Sequence, residues 1–457
     1  MTVTRSTQTT ANRRLAVPRR LAFAISAVAL VTAACTATED KSNEPLASPA
    51  ASASGQMTFW HFFTGREAAA IEGVVKDFEA SHPGITVKVS RGQDDEKMRQ
   101  AISAGKGPDV GLSYSTDIVG NFCSTGAWRD LNPYIQRDKV DMNQLAPVVR
   151  SYTEYQGTRC SMPVLADTYG LYFNKKLLAD VGYTEPPKTV SQLAEMAKKL
   201  TTHKANGDID VIGFMPFLDY YENSPAHWAP HWGATWFDQS GNSTLATDPA
   251  WQAMLTWQKQ LVDYYGADKL TKFSAGKGDE WSAANDFERG KVAMMLDGEW
   301  RIAFINADEP NLDYGTAPFP TADDKQNLYG GGYVSGNIIG ISRGSDNPEA
   351  AWELIKYLTT DTAAIVKLSN GIKNVPTTTA ALSSPDLEVD EHFKTFLDIF
   401  ANPNSATSPS TANGAEYENL FGTWLVKWQS GRAKDLSGGL ADVAKQIDDS
   451  LKLGTGS

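Results

Sequence analysis

Residues 285–300, N-D-F-E-R-G-K-V-A-M-M-L-D-G-E-W, place an aromatic and an acidic side chain together beside a predicted strand. The apolar run Val292–Leu296 predicts that strand to be buried, and Gly290 before it is typical of a helix end. A turn then delivers Trp300 to the carboxyl end of the strand, where open α/β sheets bind their ligands. The flat indole face suits a pyranose ring, and Glu299 beside it can accept hydrogen bonds from hydroxyl groups. The segment therefore predicts recognition of a sugar.

Residues 220–237 contain a second group of aromatic side chains, interleaved with proline and glycine. Such a composition predicts irregular backbone, which is poor core material. Rings held on it would offer broad apolar faces with polar edges, as sugar recognition requires. We expect Tyr221, Trp228 and Trp232 to contact the ligand. The alternative is that some of these rings, and Trp236 with them, only seal the interior.

His227 and His231 are four residues apart, a spacing that binds zinc when both residues lie on one helix. Pro230 lies between them and disfavours a regular helix, and no third ligand is apparent in the sequence. The sequence therefore predicts no metal site, and nothing in it points to a cofactor.

Polar partners are also required, because sugar hydroxyls leave water only if new hydrogen bonds replace those that are lost. Asp117 follows a predicted strand that ends at Tyr114, which places both residues at a carboxyl end. Gly332 permits close approach of the backbone to a ligand, and Tyr333 follows it. Tyr417, in the predicted C-terminal helical region, is a further candidate ligand-binding residue.

The hydrophobic periods predict the elements that position these side chains. Apolar residues recur at helical spacing in residues 71–78 and alternate as in a strand in residues 85–89. The alternation of strand and helix continues to residue 114 and returns at residues 348–358. It predicts an α/β fold with mostly parallel sheets flanked by helices. Since about 400 folded residues exceed what one core supports, we expect two lobes.

The N-terminus has the features of an export signal. Residues 1–20 contain five arginines and no acidic residue, and the apolar run Leu21–Ala34 then precedes Cys35. That run would span about 21 Å as a helix, less than the ~30 Å hydrocarbon core of a membrane, so a permanent membrane helix is disfavoured. V-T-A-A-C resembles a lipobox, with Thr32 where leucine is usual. We predict that residues 1–34 are a lipoprotein signal peptide and that Cys35 carries lipid.

A lipid on Cys35 would anchor the mature chain to the outer face of the cytoplasmic membrane. Residues 35–56 are rich in Ala, Ser, Thr and Pro and have too little apolar surface to fold, so they are predicted to form a disordered tether. Removal of residues 1–34 takes five arginines away and leaves 37 basic against 54 acidic residues, a net charge of −17. This charge disfavours polyanionic partners such as nucleic acid.

Cys123 and Cys160 remain in a chain that is predicted to fold in an oxidising compartment. A disulfide between them is the natural inference, and closing that loop would contribute roughly 4 kcal/mol in the chain-entropy model. Two free thiols are the alternative. A metal site is disfavoured, because the sequence contains no Cys-x-x-Cys spacing.

Five segments, in order, resemble landmarks of the extracytoplasmic solute-binding proteins that serve sugar ABC importers. Residues 285–300 resemble that family's A-F-x-x-G-K-A-A-M-x-x-x-G-x-W pattern. The other four are M-T-F-W-H-F-F-T-G at 57–65, G-K-G-P-D-V at 105–110, P-V-L-A-D-T-Y-G-L-Y-F-N-K-K-L-L at 163–178, and a Gly-rich turn, strand and helix at 330–358. Together they cover nearly all of residues 57–457.

The resemblance implies a maltose-binding-protein-like fold of type II, in which two lobes are joined by three crossings of the chain. We expect the crossings near residues 164, 319 and 360. The lobes are then predicted to be residues 57–164 with 319–360, and residues 165–318 with 361–457. The resemblance also implies that Asp167, Trp60 and His61 face the cleft between the lobes.

The function implied by the resemblance is capture of a carbohydrate in that cleft by hinge closure and its delivery to the permease subunits of an ABC importer. Many aromatic candidates favour a disaccharide or oligosaccharide over a monosaccharide. The protein is expected to be an extracytoplasmic monomer without enzymatic activity.

Three alternatives stay open. Arg66 and Lys373 allow a glycerol-phosphate-type or other polyol ligand in the same fold. Asp167 and Glu299 could form the pair of carboxylates of a secreted glycosidase, although no catalytic signature appears. A lipoprotein with a purely structural role would show no thermal shift with any sugar.

Overall fold

The structure is a computed structural model that describes residues 53–454. The predicted signal peptide, the lipidation site Cys35 and most of the predicted tether lie outside these residues. The tether prediction is too long at its C-terminal end, because Gly55 and Gln56 already belong to the first strand. Within residues 53–454, no helix combines the length and the apolar composition that crossing a membrane requires.

The strands of the described residues form one large sheet and one small sheet. In chain order they are β1 (Gly55–Trp60), β2 (Ile85–Ser90), β3 (Val110–Ser113), β4 (Met162–Asn174), β5 (Thr202–His203), β6 (Ile209–Val211), β7 (Met294–Gly298), β8 (Tyr314–Ala317), β9 (Val334–Ile341) and β10 (Val375–Pro376). The large sheet has the order β10-β4-β9-β3-β1-β2, and β7 and β8 also pair with β4. β5 and β6 pair with each other.

The helices pack around these sheets. In chain order they are α1 (Gly65–Ser81), α2 (Asp95–Ser103), α3 (Val119–Ser124), α4 (Asn132–Asp138), α5 (Pro147–Tyr152), α6 (Lys175–Asp180), α7 (Val190–Leu200), α8 (Pro225–Trp232), α9 (Pro249–Tyr265), α10 (Ala267–Ser274), α11 (Arg301–Asp308), α12 (Pro348–Thr360), α13 (Thr362–Ile372), α14 (Thr379–Leu382), α15 (Glu391–Ala401), α16 (Glu416–Gln429) and α17 (Leu436–Gly454). Short 3-10 helices occur at Thr116–Ile118, Met142–Gln144 and Gln326–Leu328.

β4 joins the two lobes. Its first half pairs with β9 and β10, and its second half, from Tyr169 onward, pairs with β7 and β8. Every residue of β4 is buried, as expected for a strand that is covered on both faces. We call the part of the molecule around β1, β2, β3, β9 and β10 the first lobe, and the part around β7 and β8 the second lobe.

The prediction of mostly parallel sheets is right only for the start of the first lobe. β1 runs parallel to β2 and to β3, as the alternation of strand and helix in residues 57–114 predicts. The other pairings of the large sheet are antiparallel, namely β3 with β9 and β4 with β7, β8, β9 and β10. The strand–helix alternation does not continue around β4, and this is where the prediction is wrong.

The predicted lobe boundaries also differ from the packing. α13 packs against α1 and α12, and β10 pairs with the first half of β4, so residues 361–376 belong with the first lobe. α15 is the next long helix, and it packs against β8 and β4. The third crossing therefore lies between β10 and α15 rather than near residue 360. The backbone of Thr321 still bonds to Lys188 and Val190, so the second crossing lies after residue 319.

Two local predictions have different outcomes. Cys123 in α3 and Cys160 before β4 form a disulfide with Cα atoms 5.3 Å apart, which confirms their predicted pairing. Before Gly290, residues 286–290 form hydrogen-bonded turns rather than a regular helix, with the Arg289 N–H donating to the Asn285 carbonyl at 3.0 Å. Gly290 nevertheless has a φ of 66°, the left-handed conformation that glycine tolerates best.

Candidate functional site

A cavity of about 770 Å³ lies where β4 passes from the first lobe to the second. Ligand sites of proteins commonly have volumes of about 300–1,000 Å³. Its lining residues come from both lobes and are Phe62, Phe63, Thr64, Gly65, Arg66, Glu67, Gly92, Asp94, Tyr114, Ser115, Thr116, Asp117, Asp167, Tyr169, Glu222, Ser224, Ala226, His227, Trp281, Trp300, Phe304, Asp308, Tyr333, Ser335, Asn337, Asn374 and Glu418. The structure thus brings together five of the predicted site residues: Tyr114, Asp117, Asp167, Trp300 and Tyr333.

Aromatic rings form one wall of the cavity around Trp300. This residue follows β7 and directly precedes α11, close to the position that the sequence predicts, and it is only 6% exposed. Tyr169 meets the indole edge-on with ring centroids 5.4 Å apart. Trp281 lies 6.0 Å from Trp300 and is 50% exposed, so much of its ring is open to solvent or to a ligand.

Asp167 is the polar centre of the cavity. It is buried in β4, and its carboxylate accepts hydrogen bonds from the side-chain amides of Asn337, at 3.3 Å, and Asn374. Burial raises the pKa of Asp167 to about 7. Both amide nitrogens are directed at Asp167, and the Oδ1 atoms of Asn337 and Asn374 have no hydrogen-bond partner among the described residues. Buried acceptors of this kind normally have a donor, which a ligand could supply.

A second polar cluster joins the 3-10 helix after β3 to α16. The Ser115 hydroxyl donates to Asp117 Oδ2 at 3.0 Å. The Tyr333 hydroxyl pairs with Ser408 Oγ at 3.0 Å, and Ser408 donates to Glu418 at 2.7 Å. Burial raises the pKa of Asp117, and burial together with the neighbouring Asp117 raises that of Glu418 to about 8. This cluster brings two carboxyl groups into the cavity wall, one from each lobe.

Glu222 and His227 form a third polar group at the start of α8. Their side chains approach to 3.7 Å, and the His227 ring lies on Tyr169 with centroids 3.9 Å apart. Burial raises the pKa of Glu222 well above its usual value, and Glu280 beside it adds to the shift. Burial lowers the pKa of His227 to about 4, so this imidazole is neutral near pH 7.

Acidic side chains outnumber cationic ones in the cavity lining. Arg66 is the cation of the described lining, and its guanidinium lies over the Phe304 ring at 4.4 Å from the centroid. Burial raises the pKa of Glu67 to about 7, although Arg66 opposes the shift. The carboxyl groups of the lining are those of Glu67, Asp94, Asp117, Asp167, Glu222, Asp308 and Glu418. Among residues 53–454, no cluster of three or more His, Cys, Asp or Glu side chains could hold a metal ion.

The irregular backbone predicted for residues 220–237 is wrong at its centre, where α8 forms. Ser224 caps this helix by accepting a hydrogen bond from the His227 backbone N–H at 3.1 Å, and Pro225 occupies its first turn. Trp228 consequently points into the interior of the second lobe, is fully buried, and does not line the cavity. Its neighbours are the rings of Phe214, Trp257 and Phe319.

Trp232 and Tyr417 are likewise absent from the cavity lining. Trp232 is nearly buried beside Trp257, and both rings line a separate groove of about 600 Å³ on the second lobe. The Tyr417 hydroxyl donates to the Pro409 carbonyl at 3.1 Å, and its ring packs on Trp236 with centroids 4.9 Å apart. These aromatic side chains stabilise the second lobe, which is the alternative that the sequence leaves open.

Glu299 and Gly332 do not line the cavity, and both contact residues of β4 instead. Glu299 is fully buried, and its carboxylate accepts from the Thr168 backbone N–H at 2.7 Å. A Cβ added to Gly332 would lie 2.9 Å from Ile399 and 3.1 Å from the Tyr169 carbonyl oxygen. Close packing of the backbone, rather than approach of a ligand, therefore requires this glycine.

Three further predicted residues are occupied with local contacts outside the lining. Trp60 ends β1, and the Lys97 ammonium lies 5.9 Å from its ring centroid. His61 is buried, and burial lowers its pKa to about 4. The Tyr221 hydroxyl donates to the Gly278 carbonyl at 3.1 Å and fixes the segment before Trp281.

Sequence reasoning missed several lining residues, of which Trp281, Asn337 and Asn374 are the most distinctive. Trp281 lies in a polar, glycine-containing segment, where an isolated indole is unusual. Asn337 interrupts the apolar strand β9, and a lone amide in a buried strand is a recognisable signal. Asn374 carries no comparable sequence signal, because its role depends on β10 meeting β4.

Comparisons with known proteins agree with this geometry. The family model of bacterial extracellular solute-binding proteins matches residues 64–365. The maltotriose-binding protein of Pyrococcus abyssi is 25% identical over 340 residues, which cover 74% of this chain and 70% of that protein. The sn-glycerol-3-phosphate-binding periplasmic protein UgpB of Brucella abortus is 24% identical over 424 residues, 87% of this chain and 92% of its own. The solved structure of CpMnBP1 with mannotriose bound aligns with a TM-score of 0.78 at 27% identity, covering 85% of this chain and 99% of that one.

Proposed function

This chain belongs to the family of bacterial extracellular solute-binding proteins and has the predicted two-lobed type II fold, and from this premise we propose that it captures an oligosaccharide and delivers it to an ABC importer. The observation that carries the proposal is the cavity at β4, where aromatic rings from both lobes surround buried hydrogen-bonding groups. Its volume of about 770 Å³ is large enough for several sugar rings and is more than one ring needs.

Two kinds of contact support a sugar ligand. Trp281 and Trp300 of the second lobe and Tyr114 of the first supply apolar ring surface. Asp167 with its two asparagines, and Asp117 with Glu418, supply acceptors for hydroxyl groups. One relative is a maltotriose-binding protein, and the structure of CpMnBP1 that aligns with this chain has mannotriose bound, which favours an oligosaccharide of similar length.

Capture is proposed to proceed by closure of the two lobes on the sugar. The continuous strand β4, the segment between residue 321 and β9, and the segment between β10 and α15 connect the lobes and are the candidate hinges. A ligand shifts the equilibrium toward the closed state only through contacts that the open state lacks. Tyr114 and Trp300, which lie in different lobes, are suited to make such contacts. The closed form is then the one that the permease recognises.

A polyol phosphate is the less favoured ligand. One relative binds sn-glycerol-3-phosphate, and Arg66 lies in the cavity wall. However, the carboxyl groups of the lining would repel a phosphate dianion, and Lys373, the second cation considered for such a ligand, does not line the cavity. A neutral sugar meets no such repulsion.

A glycosidase is also disfavoured. The proposed pair of carboxylates requires Glu299 to face the substrate, whereas its side chain is buried behind β4 and does not line the cavity. The family and the relatives are binding proteins. We therefore propose a binding role without catalysis, carried out by a monomer that a lipid on Cys35 tethers outside the cytoplasmic membrane.

A ligand screen tests this function. Thermal shift assays of the chain lacking residues 1–34 would compare linear oligosaccharides, monosaccharides, polyols and phosphate esters, and titration calorimetry would follow each hit. We expect the largest stabilisation with a disaccharide or longer sugar and no change in the sugar after incubation. Stabilisation by a phosphate ester alone, or conversion of the sugar to products, would contradict the proposal.

A further inference from the structure

We propose that the cavity is built for an oligosaccharide that carries a positive charge, such as one with amino-sugar residues or with an amine between two rings. This inference rests on the proposed function, because it assumes that an oligosaccharide occupies the cavity. It narrows the ligand class from sugars in general to amine-containing sugars.

The first observation is the excess of carboxyl groups over cationic side chains in the wall of the cavity. Glu67, Asp117 and Asp167 from the first lobe face Glu222 and Glu418 from the second. Arg66 also lines the cavity, but its side chain is exposed and packs on the Phe304 ring. No other lysine or arginine lines the cavity in the part of the chain that the structure describes.

Two basic residues near the cavity, Arg301 and His227, supply little positive charge to it. Arg301, adjacent to Trp300, donates to Asp297 at 2.8 Å and to Glu288 at 3.1 Å, and it does not line the cavity. His227 does line it, but burial lowers the pKa of this imidazole to about 4, so it is neutral near pH 7. The protein therefore offers the buried carboxyl groups little counter-charge of its own.

The second observation is the orientation of two buried amides. Asn337 and Asn374 are each 3% exposed, and the side-chain amide of each donates a hydrogen bond to Asp167. Their Oδ1 atoms have no partner among residues 53–454. An ammonium group has three donors and no acceptor, whereas a hydroxyl has one donor and two lone pairs. The two unpartnered Oδ1 atoms, next to the carboxyl group of Asp167, offer acceptors for the donors of an ammonium group.

The titration behaviour of the lining is compatible with a cationic ligand. Burial raises the pKa of Glu67 to about 7 and that of Glu418 to about 8, so both carboxyl groups hold protons to unusually high pH in the free protein. A bound ammonium would favour the ionised carboxylates and form charge-assisted hydrogen bonds with them. A neutral sugar offers these carboxyl groups no positive charge and does not favour their ionisation.

Matched sugars test the inference on the mature chain. Titration calorimetry would compare cellotriose with the glucosamine trimer of the same linkage, and maltotetraose with acarbose, in which an amine replaces one bridging oxygen. We expect the amine-containing member of at least one pair to bind about tenfold tighter or more, the size of one close charge pair. N-acetylation of the glucosamine trimer removes its charge and should remove the advantage. Raising the salt concentration should weaken only the amine-containing sugar.

Two variants connect the preference to the lining. In Glu222→Gln and in Glu418→Gln, we expect the affinity ratio of amine-containing to neutral sugar to fall by about fivefold or more. Each change replaces one carboxyl group with a neutral amide of similar shape. Asp398→Asn is the matched control, because this exposed residue of α15 pairs with Lys394 and lies outside the cavity lining. The control should leave the ratio unchanged.

The outcomes separate this inference from the proposed function. Equal or tighter binding of the neutral sugars overturns the amine preference and leaves sugar capture intact. A preference that persists in both glutamine variants overturns the assignment to these carboxyl groups. Failure of every sugar, including those of the wider thermal shift screen, overturns both.

Discussion

Two groups of tryptophans in the second lobe differ in their surroundings. Trp281 and Trp300, the cavity tryptophans, line the space at β4 and meet each other at 6.0 Å. Trp228, Trp232 and Trp236, the core tryptophans, are nearly or fully buried and pack on neighbouring aromatic rings. Both groups supply large apolar rings, yet only the first group lines the cavity at β4.

The difference follows from the backbone that holds each group. The cavity tryptophans lie in the turn-rich segment before β7 and at the junction of β7 with α11, which are exposed to the space between the lobes. Trp228 and Trp232 lie on α8, whose buried face packs against α9 and Phe319. A helix directs its apolar side chains into the core at regular spacing, whereas a turn can present a ring outward. Indoles therefore indicate function only together with the element that carries them.

Among the substitutions that test this comparison, Trp228→Ala is expected to have the largest effect, a loss of stability. Replacing it with Ala should lower the free energy of unfolding by about 3–5 kcal/mol, because the fully buried ring would leave a cavity in the second lobe. Urea unfolding measures this loss, and Trp228→Phe is the milder control. Sugar affinity of the folded variant should stay near that of the wild type. A loss below about 1 kcal/mol would show that the core assignment is wrong.

At Trp300 the expected effect is on binding. Trp300→Ala should weaken sugar binding by about 1–3 kcal/mol, because the ligand would lose an apolar face. Titration calorimetry gives the affinity, and thermal unfolding of the free variant gives the stability. Since Trp300 is itself mostly buried, some loss of stability is expected as well. Unchanged affinity together with a lower melting temperature would move Trp300 into the core group.

The acidic cluster beside these rings predicts a pH dependence of stability. Burial raises the pKa of Glu418 to about 8, so the folded state binds more protons than the unfolded state above the ordinary glutamate range. Stability of the free protein should then fall as the pH rises from 6.5 to 8.5, with at most about 1.4 kcal/mol per pH unit from one group. The buried histidines have lowered pKa values and do not contribute in this window.

Glu418→Gln should flatten this fall, because the amide does not titrate. Melting temperatures of the wild type and the variant across the same pH range measure the difference. Asp398→Asn, at an exposed position outside the cavity lining, is the control. If the melting temperatures of the wild type and of Glu418→Gln fell equally with rising pH, the proposed contribution of Glu418 to the pH dependence would be contradicted.

The smallest expected effect is at Trp281. This ring is 50% exposed, so Trp281→Ala should leave the free energy of unfolding nearly unchanged. Contact with a sugar that covers roughly 40 Å² of the ring would contribute about 1 kcal/mol to binding, which the variant loses. Tyr264→Ala, at a residue that is 59% exposed and outside the cavity lining, is the matched control. Equal affinities in the two variants would remove Trp281 from the site.

Local patterns in the sequence predict much of the fold. The helical spacing at residues 71–78 corresponds to α1, and the alternating residues 85–89 correspond to β2. The antiparallel pairings of β4 could not be predicted in this way, because they join residues more than a hundred positions apart. The position of the third crossing could not be predicted for the same reason, since it follows from the packing of α13 against α1 and the pairing of β10 with β4.

The lining of the cavity was predictable where strand ends carry polar or aromatic side chains. Asp117 and Trp300 follow β3 and β7 and both line the cavity, in agreement with the rule that ligands bind at carboxyl ends of strands. Trp228, by contrast, does not line the cavity, because Ser224 and Pro225 start a helix that carries this residue into the interior. Asn374 became part of the site through tertiary pairing alone, which no local pattern encodes.

The most direct measurement is a crystal structure of the mature chain with the sugar that gives the largest thermal shift. We expect the sugar between the lobes, in contact with the rings of Trp281 and Trp300 and within hydrogen-bond distance of the Asp167, Asn337 and Asn374 group. A sugar found instead in the groove beside Trp232, with the space at β4 empty, would contradict the account.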